Sequence, residues 1–337
     1  MNEGFFRMFE LLEGFHLEDS GELFFTGADC GMKCNFCSRG IAKRQALRRA
    51  LHRALDAGRG LMGSSFPGMG SIPERFERGL SALRAGRNRP IRMSGFDILE
   101  YERVFELLDI CRKHDRKIEI VSPGLKLADP QFCRRIAQFH PSISITCLSH
   151  RADTYARMTG RPDSKRLVER AMANMRRLGV EFSVNFVVTI DNYDHLTDVA
   201  SFLLDGMGLQ SFTMSYFSPE IIHGRRDPDI ARLLVEFRHV NLELVKFAGR
   251  YGGTQKCLSV HRVPQCKVDE EVLACRNVFF SMDRGLEPNY PVYRDSSCVF
   301  CRLGSECSYV SRYYRARFPD EVFDYKKVNR ITPELPR

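Results

Sequence analysis

Three cysteines carry the most chemistry in this chain of 337 residues: Cys30, Cys34 and Cys37, in the run C-G-M-K-C-N-F-C. Three thiolates closing on one short loop can wrap a single metal centre. An iron–sulfur cube has four irons, so three cysteines leave one iron without a protein ligand. A metal with an open position is where a substrate or cofactor coordinates, which points to a reactive centre rather than a structural one. Zinc sites usually join Cys-x₂-Cys to a distant second pair, and a bacterial ferredoxin run spaces its cysteines two apart throughout, so the spacing here fits both poorly.

A second group lies near the other end. Cys298, Cys301 and Cys307 form Cys-x₂-Cys-x₅-Cys, and Cys257, Cys266 and Cys275 stand upstream at equal intervals. The remaining cysteines of the twelve, Cys111, Cys133 and Cys147, are isolated. Clustering at two ends of a cytoplasmic chain argues for two metal centres rather than disulfides. At the C-terminal group, iron and structural zinc both suit the Cys-x₂-Cys pair.

The elements that must position these groups alternate. Strand-like segments are read at Leu23–Thr26, Ile91–Ser94, Ile118–Ser122, Ile143–Leu148, Phe182–Thr189 and Phe212–Phe217, each short and rich in Val, Ile, Phe or Thr. Helix patterns occupy 41–57, 73–85, 99–115, 130–138, 164–178, 194–204 and 229–250, with Asp129-Pro130 and Asp194 as expected starts. Repeated β-α units mean a parallel sheet flanked by helices, with reactive residues at the C-terminal ends of the strands. The expected fold is α/β: an open, partial (β/α)6 barrel over 1–252, with a doubly wound sheet as its competitor. A small, loop-rich C-terminal domain held by metal is expected over 253–337. The Gly/Met-rich stretch 58–70 lacks Gly-Lys-Ser/Thr, so it is a surface loop and no phosphate loop.

Apolar content of 43% and charged content of 28% are ordinary for a globular protein. No apolar run approaches the roughly 18 residues of a membrane span, and Met1 to Glu18 lacks the apolar core of a signal peptide. A cytoplasmic location without a membrane partner is expected. The net charge of +9 is spread along the chain, densest over Arg39–Arg53, where a solvated helix face is the plainer reading. Arg312-Tyr-Tyr-Arg-Ala-Arg317 interleaves basic and aromatic residues, a pattern that can stack on nucleic acid, yet on a short helix it reads first as packing plus solvation.

The residue before the third cysteine is aromatic, Phe36. Cys-x₃-Cys-x-aromatic-Cys after the first strand of a β/α array resembles the radical S-adenosylmethionine (SAM) superfamily. The resemblance implies that Cys30, Cys34 and Cys37 hold a [4Fe–4S] cluster whose fourth iron is chelated by SAM. It further implies reductive cleavage of SAM to methionine and a 5′-deoxyadenosyl radical, which takes a hydrogen atom from substrate. Phe36 takes the place of the residue at the adenine. The family's second strand ends in Gly-Gly-Glu. Here Met93-Ser-Gly-Phe-Asp97 matches it, so Ser94 and Gly95 take the glycine places, Phe96 replaces the glutamate, and Asp97 is the substitute carboxylate or, with Glu100, a helix-capping acid. Ser149 and Asn185 match positions that touch the SAM ribose and carboxylate.

The order of segments is similar to the branch with C-terminal SPASM or twitch domains. Cys275 followed by a strand and Gly285 looks like the SPASM hairpin, but Tyr290 and Ser311 stand where a full SPASM domain has further cysteines. The resemblance therefore implies one auxiliary [4Fe–4S] cluster on Cys298, Cys301 and Cys307, with Cys275 as fourth ligand and Cys266 or Cys257 as alternatives. Cys147 matches the lone cysteine that donates a hydrogen atom in some epimerases, and a buried structural cysteine is the other reading. The expected enzyme abstracts hydrogen from a small polar metabolite, with oxidation, epimerisation or rearrangement as outcome, in natural-product or cofactor biosynthesis. Alternatives are maturation of a ribosomally made peptide, RNA modification, and a non-enzymatic binding module stabilised by metal. The expected partners are a small-molecule or peptide substrate and a reductant such as flavodoxin or ferredoxin; nucleic acid is not expected.

Overall fold

The computed structural model describes residues 15–17, 21–25, 30–37, 71–83, 89–217, 231–281, 292–293, 296–303, 307 and 310–331. The helix expected at 41–57, with its basic run, the 58–70 loop, Gly285 and Tyr290 lie outside the described residues.

Nine strands follow one another in chain order: β1 (Phe15–Leu17), β2 (Glu22–Phe25), β3 (Ile91–Gly95), β4 (Ile118–Ser122), β5 (Ser142–Cys147), β6 (Phe182–Val188), β7 (Ser211–Tyr216), β8 (Cys257–His261) and β9 (Val278–Ser281). Among the described residues the order opens at β1 and ends at β9, so the sheet does not close. β1 is antiparallel to β2, and β2–β3, β3–β4, β4–β5, β6–β7, β7–β8 and β8–β9 are parallel ladders. Helices or short helical turns fill the connections, as the crossover rule requires of parallel strands.

The expected fold class holds, but the count of six strands is too low, because β1 precedes the first strand read from the sequence and β8 and β9 follow residue 252. β8 alternates buried Leu258 and Val260 with half-buried Cys257, Ser259 and His261. Only Val260 of its five residues is β-branched, a weak strand signal by itself. β9 is the strand after Cys275, and it pairs in parallel with β8.

Close contacts divide the chain into two compact units, Met1–Thr146 with Thr159–Ser183, and Cys147–Met158 with Val184–Arg337. In the first unit, Leu23, Phe25, Ile91, Met93, Ile120, Ile143 and Ile145 are almost fully buried along the strands. The helices Ile72–Ala82, Val104–Lys113, Pro130–Ala137 and Ser164–Arg177 bury Phe76, Leu107, Ile136 and Met172. Asp129 caps the third of these as expected, its carboxylate accepting from the Gln131 amide at 2.8 Å. Gly124 carries φ +77°, and a Cβ there would lie 2.6 Å from Ile145 Cδ1. Gly124→Ala is therefore expected to destabilise the first unit by about 1–3 kcal/mol, from the left-handed backbone and a displaced core side chain. A lowered thermal midpoint in calorimetry would report it.

In the second unit, Asp194 does not cap a helix. A 3-10 turn covers Tyr193–His195, an α-helix covers Leu196–Ala200, and a π-helical turn covers Ser201–Gly206. Asn192, fully buried, donates to Leu148 O at 2.7 Å and Val187 O at 2.9 Å and accepts from Thr189 N at 2.8 Å. It joins the ends of β5 and β6 within the unit. The segment Arg312–Arg317 is a helix whose Tyr314 is fully buried, stacked on Phe237 at 4.1 Å between centroids. Tyr314 accepts from Phe237 N at 2.8 Å and hydrogen-bonds Glu321. The aromatic–basic run is thus a packing element, as its length suggested. Among the described residues no helix is long and apolar enough to cross a membrane.

Candidate active site

In the first unit, the loop carrying Cys30, Cys34 and Cys37 follows β2, and all three thiols are half-buried. The Cys37 amide donates to Cys34 O at 3.2 Å, folding the second half of the loop into a tight turn. Burial pushes the Cys30 thiol up to about 12, helped by the charges of Asp97 and Cys37, while the backbone amides of Met32 and Asp97 donate to its sulfur and oppose that rise. Cys34 is pushed well above the ordinary thiol range by burial and by Cys37 and Cys30. Its thiol also points at Met32 Sδ, 3.8 Å away. Thiols that raise a neighbour's pKa are close together, and positive charge shared among them is what would relieve the repulsion.

That donor set fits an iron–sulfur cluster: three thiols on one loop, with two backbone amides directed at one sulfur, the kind of hydrogen bond that tunes such clusters. Among the described residues no three His, Cys, Asp or Glu side chains converge as the ligands of a single ion do. Zinc holds its sulfurs about 2.3 Å from one centre, whereas a cube takes each cysteine on its own iron, so the sulfurs of a cube stand farther apart.

Phe36 is buried on the same loop. Ser94 and Gly95 end β3, and Gly95 takes φ +106°, which favours glycine. The Ser94 hydroxyl donates to Glu22 at 3.0 Å, and its backbone is paired with Phe24 in the β2–β3 ladder. The Phe96 amide donates to Phe25 O at 2.7 Å and its ring is fully buried. That explains the departure from Gly-Gly-Glu: position 96 belongs to the core. Asp97 follows at once, also buried. Its Oδ1 accepts from Ser122 Oγ at 2.8 Å and Leu99 N at 3.2 Å, and its Oδ2 is buried with no hydrogen-bond partner. Burial pushes the Asp97 carboxyl up to about 7. An orphaned carboxylate oxygen beside the cysteine loop is the strongest local call for a cationic or N–H ligand group.

Sequence reasoning missed a brace on this loop. Thr159–Ser164 is knotted by its own side chains: Ser164 Oγ lies 2.9 Å from Thr159 Oγ1 and donates to Arg161 O at 2.7 Å. Gly160, at φ +63°, lets the loop pass against Lys33, whose amide donates to Thr159 O at 2.8 Å. Arg161 and Glu100 both reach Gly31. The signal was the glycine in Met-Thr-Gly-Arg-Pro-Asp.

In the second unit, Ser149 is buried after β5. It accepts from the Arg151 amide at 2.9 Å and shares a 2.8 Å hydrogen bond with His195 Nδ1. The ring of His150 meets that of His195 edge-on at 5.0 Å, and burial holds His195 below the usual histidine range. Asn185 is half-buried on β6 and accepts from Ser215 Oγ at 2.8 Å. Cys147 is buried at the end of β5. Tyr216 is also buried, donating to Val235 O at 2.6 Å.

The C-terminal cysteines lie in this second unit too. Cys298, Cys301 and Cys307 are half-buried, and the Cys301 amide donates to Cys298 O at 3.1 Å. The thiol that shares their surroundings is Cys266, pushed up to about 12 by burial and by Cys307, Cys298 and Cys301, with Lys267 opposing. Cys275 stands elsewhere, its sulfur 3.4 Å from where a Cβ on Gly252 would lie, at the end of the helix Phe237–Tyr251. The Cys257 thiol is turned to Gln255 O.

An open parallel α/β sheet with a three-cysteine loop after its first parallel strand defines a class of cluster-bearing enzyme. The sequence model of the radical SAM superfamily matches residues 25–203, more than half of the chain, and the chain belongs to that superfamily. Among solved structures, native anSMEcpe with bound AdoMet and Kp18Cys peptide is similar at a TM-score of 0.50 and 14% identity, over 67% of this chain and 57% of that one. The chain thus spans under two thirds of that relative in this match. The same protein with the Cp18Cys peptide gives a TM-score of 0.52 at 12% identity, over 90% of this chain and 91% of that one. SuiB of Streptococcus suis bound to S-adenosylmethionine has 15% identity and a TM-score of 0.41, over 69% of this chain and 44% of that one. At these identities the likeness is one of fold. A comparison with curated proteins finds no match. Membership implies an enzyme with a [4Fe–4S] cluster and SAM.

Proposed function

We propose that Cys30, Cys34 and Cys37 are the cluster ligands, that Asp97 with the Ser94-Gly95 backbone receives SAM, and that the substrate is a small polar metabolite. When bound, the cluster supplies the electron that cleaves SAM, and the fragment formed abstracts hydrogen from an unactivated C–H bond. The observation that carries the reading is the orphaned Oδ2 of Asp97 beside the half-buried thiol triplet. Its chain-specific role is to accept the N–H donors of the SAM amino group where the family's glutamate is absent. Gly95 lets the β3 backbone turn so that its polar groups face the ligand, and Phe36 with Met32 excludes water from the loop. Ser149 and Asn185 are proposed for the ribose and carboxylate, Ser149 being held in orientation by His195.

The domain from 253 onward is proposed as twitch-like, with one auxiliary [4Fe–4S] cluster on Cys298, Cys301 and Cys307. Flavodoxin or ferredoxin is the proposed reductant. Cys147, with its thiol beneath the end of β5, is the proposed hydrogen donor should the outcome be epimerisation. A peptide substrate is the second reading, since the anSMEcpe structures hold bound peptides.

Anaerobic reconstitution tests the proposal. Two cubes predict about eight irons per chain, and reduction with SAM present should yield 5′-deoxyadenosine. Zinc in place of iron, with no cleavage, would sink it. A deuterium-transfer assay over polar metabolites and over peptides then separates the two substrate readings.

A further inference from the structure

The brace on the cysteine loop has an electrostatic side. Arg161 Nη1 donates to Gly31 O at 3.4 Å, while Nε donates to Asp163 Oδ1 at 2.7 Å and Nη2 to Oδ2 at 3.4 Å. A Cβ on Gly31 would fall 2.9 Å from Arg161 Nη1 and 3.1 Å from Leu125 Cδ1, so glycine is what lets the guanidinium come this close to the loop backbone. The guanidinium stands in the field of Glu100 and Cys30 as well as Asp163. Glu100 is itself engaged by Lys126 at 3.6 Å. Arg161 also lines, with Glu100, Lys126 and Arg170, a cavity of about 610 Å³ in the same unit. One edge of the guanidinium is therefore held by Asp163, and Nη1 faces the loop between the first two cysteines.

We infer that Arg161 is a positioning residue for the cysteine loop and, with Asp163, sets the reduction potential of the cluster that the loop holds. The inference rests on the proposed assignment of Cys30, Cys34 and Cys37. A fixed cation near the sulfurs stabilises the cluster when it carries the extra electron, so it raises the potential, and its carboxylate partner subtracts from that effect. Arg161 suits the task because a guanidinium stays charged and its planar fork satisfies a carbonyl and a carboxylate at once. Lysine would keep the charge and lose the fork.

An EPR-monitored redox titration of the full-length reconstituted protein, read on the cluster signal that SAM perturbs, tests this. Arg161→Gln should shift the reduction equilibrium about threefold or more toward the oxidised cluster, about 28 mV downward for one electron. Asp163→Asn should move it upward. Arg161→Lys should keep the potential near wild type while retaining less iron. A loop that is merely propped gives no such opposed signs. An unmoved or raised potential in Arg161→Gln, or equal shifts in Arg161→Gln and Arg161→Lys, overturns the inference. If Arg161→Gln loads no iron, Asp163→Asn decides alone: an upward shift supports the inference and any other result overturns it. Wild-type protein that takes up no cluster fails the ligand assignment itself, a separate result that removes this inference with it.

Discussion

Replacing Cys30, Cys34 or Cys37 by serine is expected to bring reductive SAM cleavage down to background, a loss of at least about a thousandfold, or about 4 kcal/mol of barrier. On the proposed assignment each thiol would hold a different iron of the cube, so losing one would open a second iron and lose the cluster with it. Serine is nearly isosteric, which keeps the loop's own contacts. The turn from Cys37 N to Cys34 O and the bond from Lys33 N to Thr159 O use only the backbone, so the apo fold should survive. Burial makes the Cys30 and Cys34 thiols costly to ionise, and that cost is what metal binding relieves. The controls are Cys111 and Cys133, both fully buried in the first unit. Their serine variants place a hydroxyl in an apolar core and should lose about 1–3 kcal/mol of stability while keeping cleavage. Iron content and 5′-deoxyadenosine yield, measured on all five variants, separate ligands from core. Cleavage retained in any of the first three would remove that residue from the ligand set.

Much of this was legible because parallel strands and helix caps announce themselves locally. Ile118–Ser122 is read to the residue, and Asp129 caps as expected, since both depend on side chains within a few positions. The triplet pointed to the superfamily for a related reason: one loop carries all three cysteines, so their spacing is set locally. What depends on distant partners was not legible. β8 hides its two apolar residues among Cys257, Ser259 and His261, and only pairing with β7 makes it a strand. Nothing local says that position 96 points into the core and position 97 toward the thiols. The Arg161–Gly31 contact joins residues 130 positions apart, and nothing in either stretch names the other.

Cys266 shows the same limit at the other group of cysteines, and its substitution carries the second large effect. The sequence pattern favours Cys275 as fourth auxiliary ligand because a strand and a glycine follow it. The structure surrounds Cys266 with Cys307, Cys298 and Cys301, while Cys275 packs against Gly252. Cys266 lies on the turn Gln265–Lys267, anchored by Lys267, which pairs with Glu321 at 3.0 Å and sits over the Phe323 ring. That anchor holds the thiol in place with or without metal and sets a cation beside it. Cys266→Ser is therefore expected to lose the auxiliary cluster, taking iron from about eight to about four per chain, while leaving the SAM-perturbed signal of the first cluster intact. Cys275→Ser should keep both clusters and lose only packing at the end of the helix. Iron analysis with Mössbauer spectroscopy reads the difference directly. Full iron in Cys266→Ser together with halved iron in Cys275→Ser would return the fourth place to Cys275. In that event the thiols would have to rearrange on metal binding, because the structure sets Cys307, Cys298 and Cys301 around Cys266.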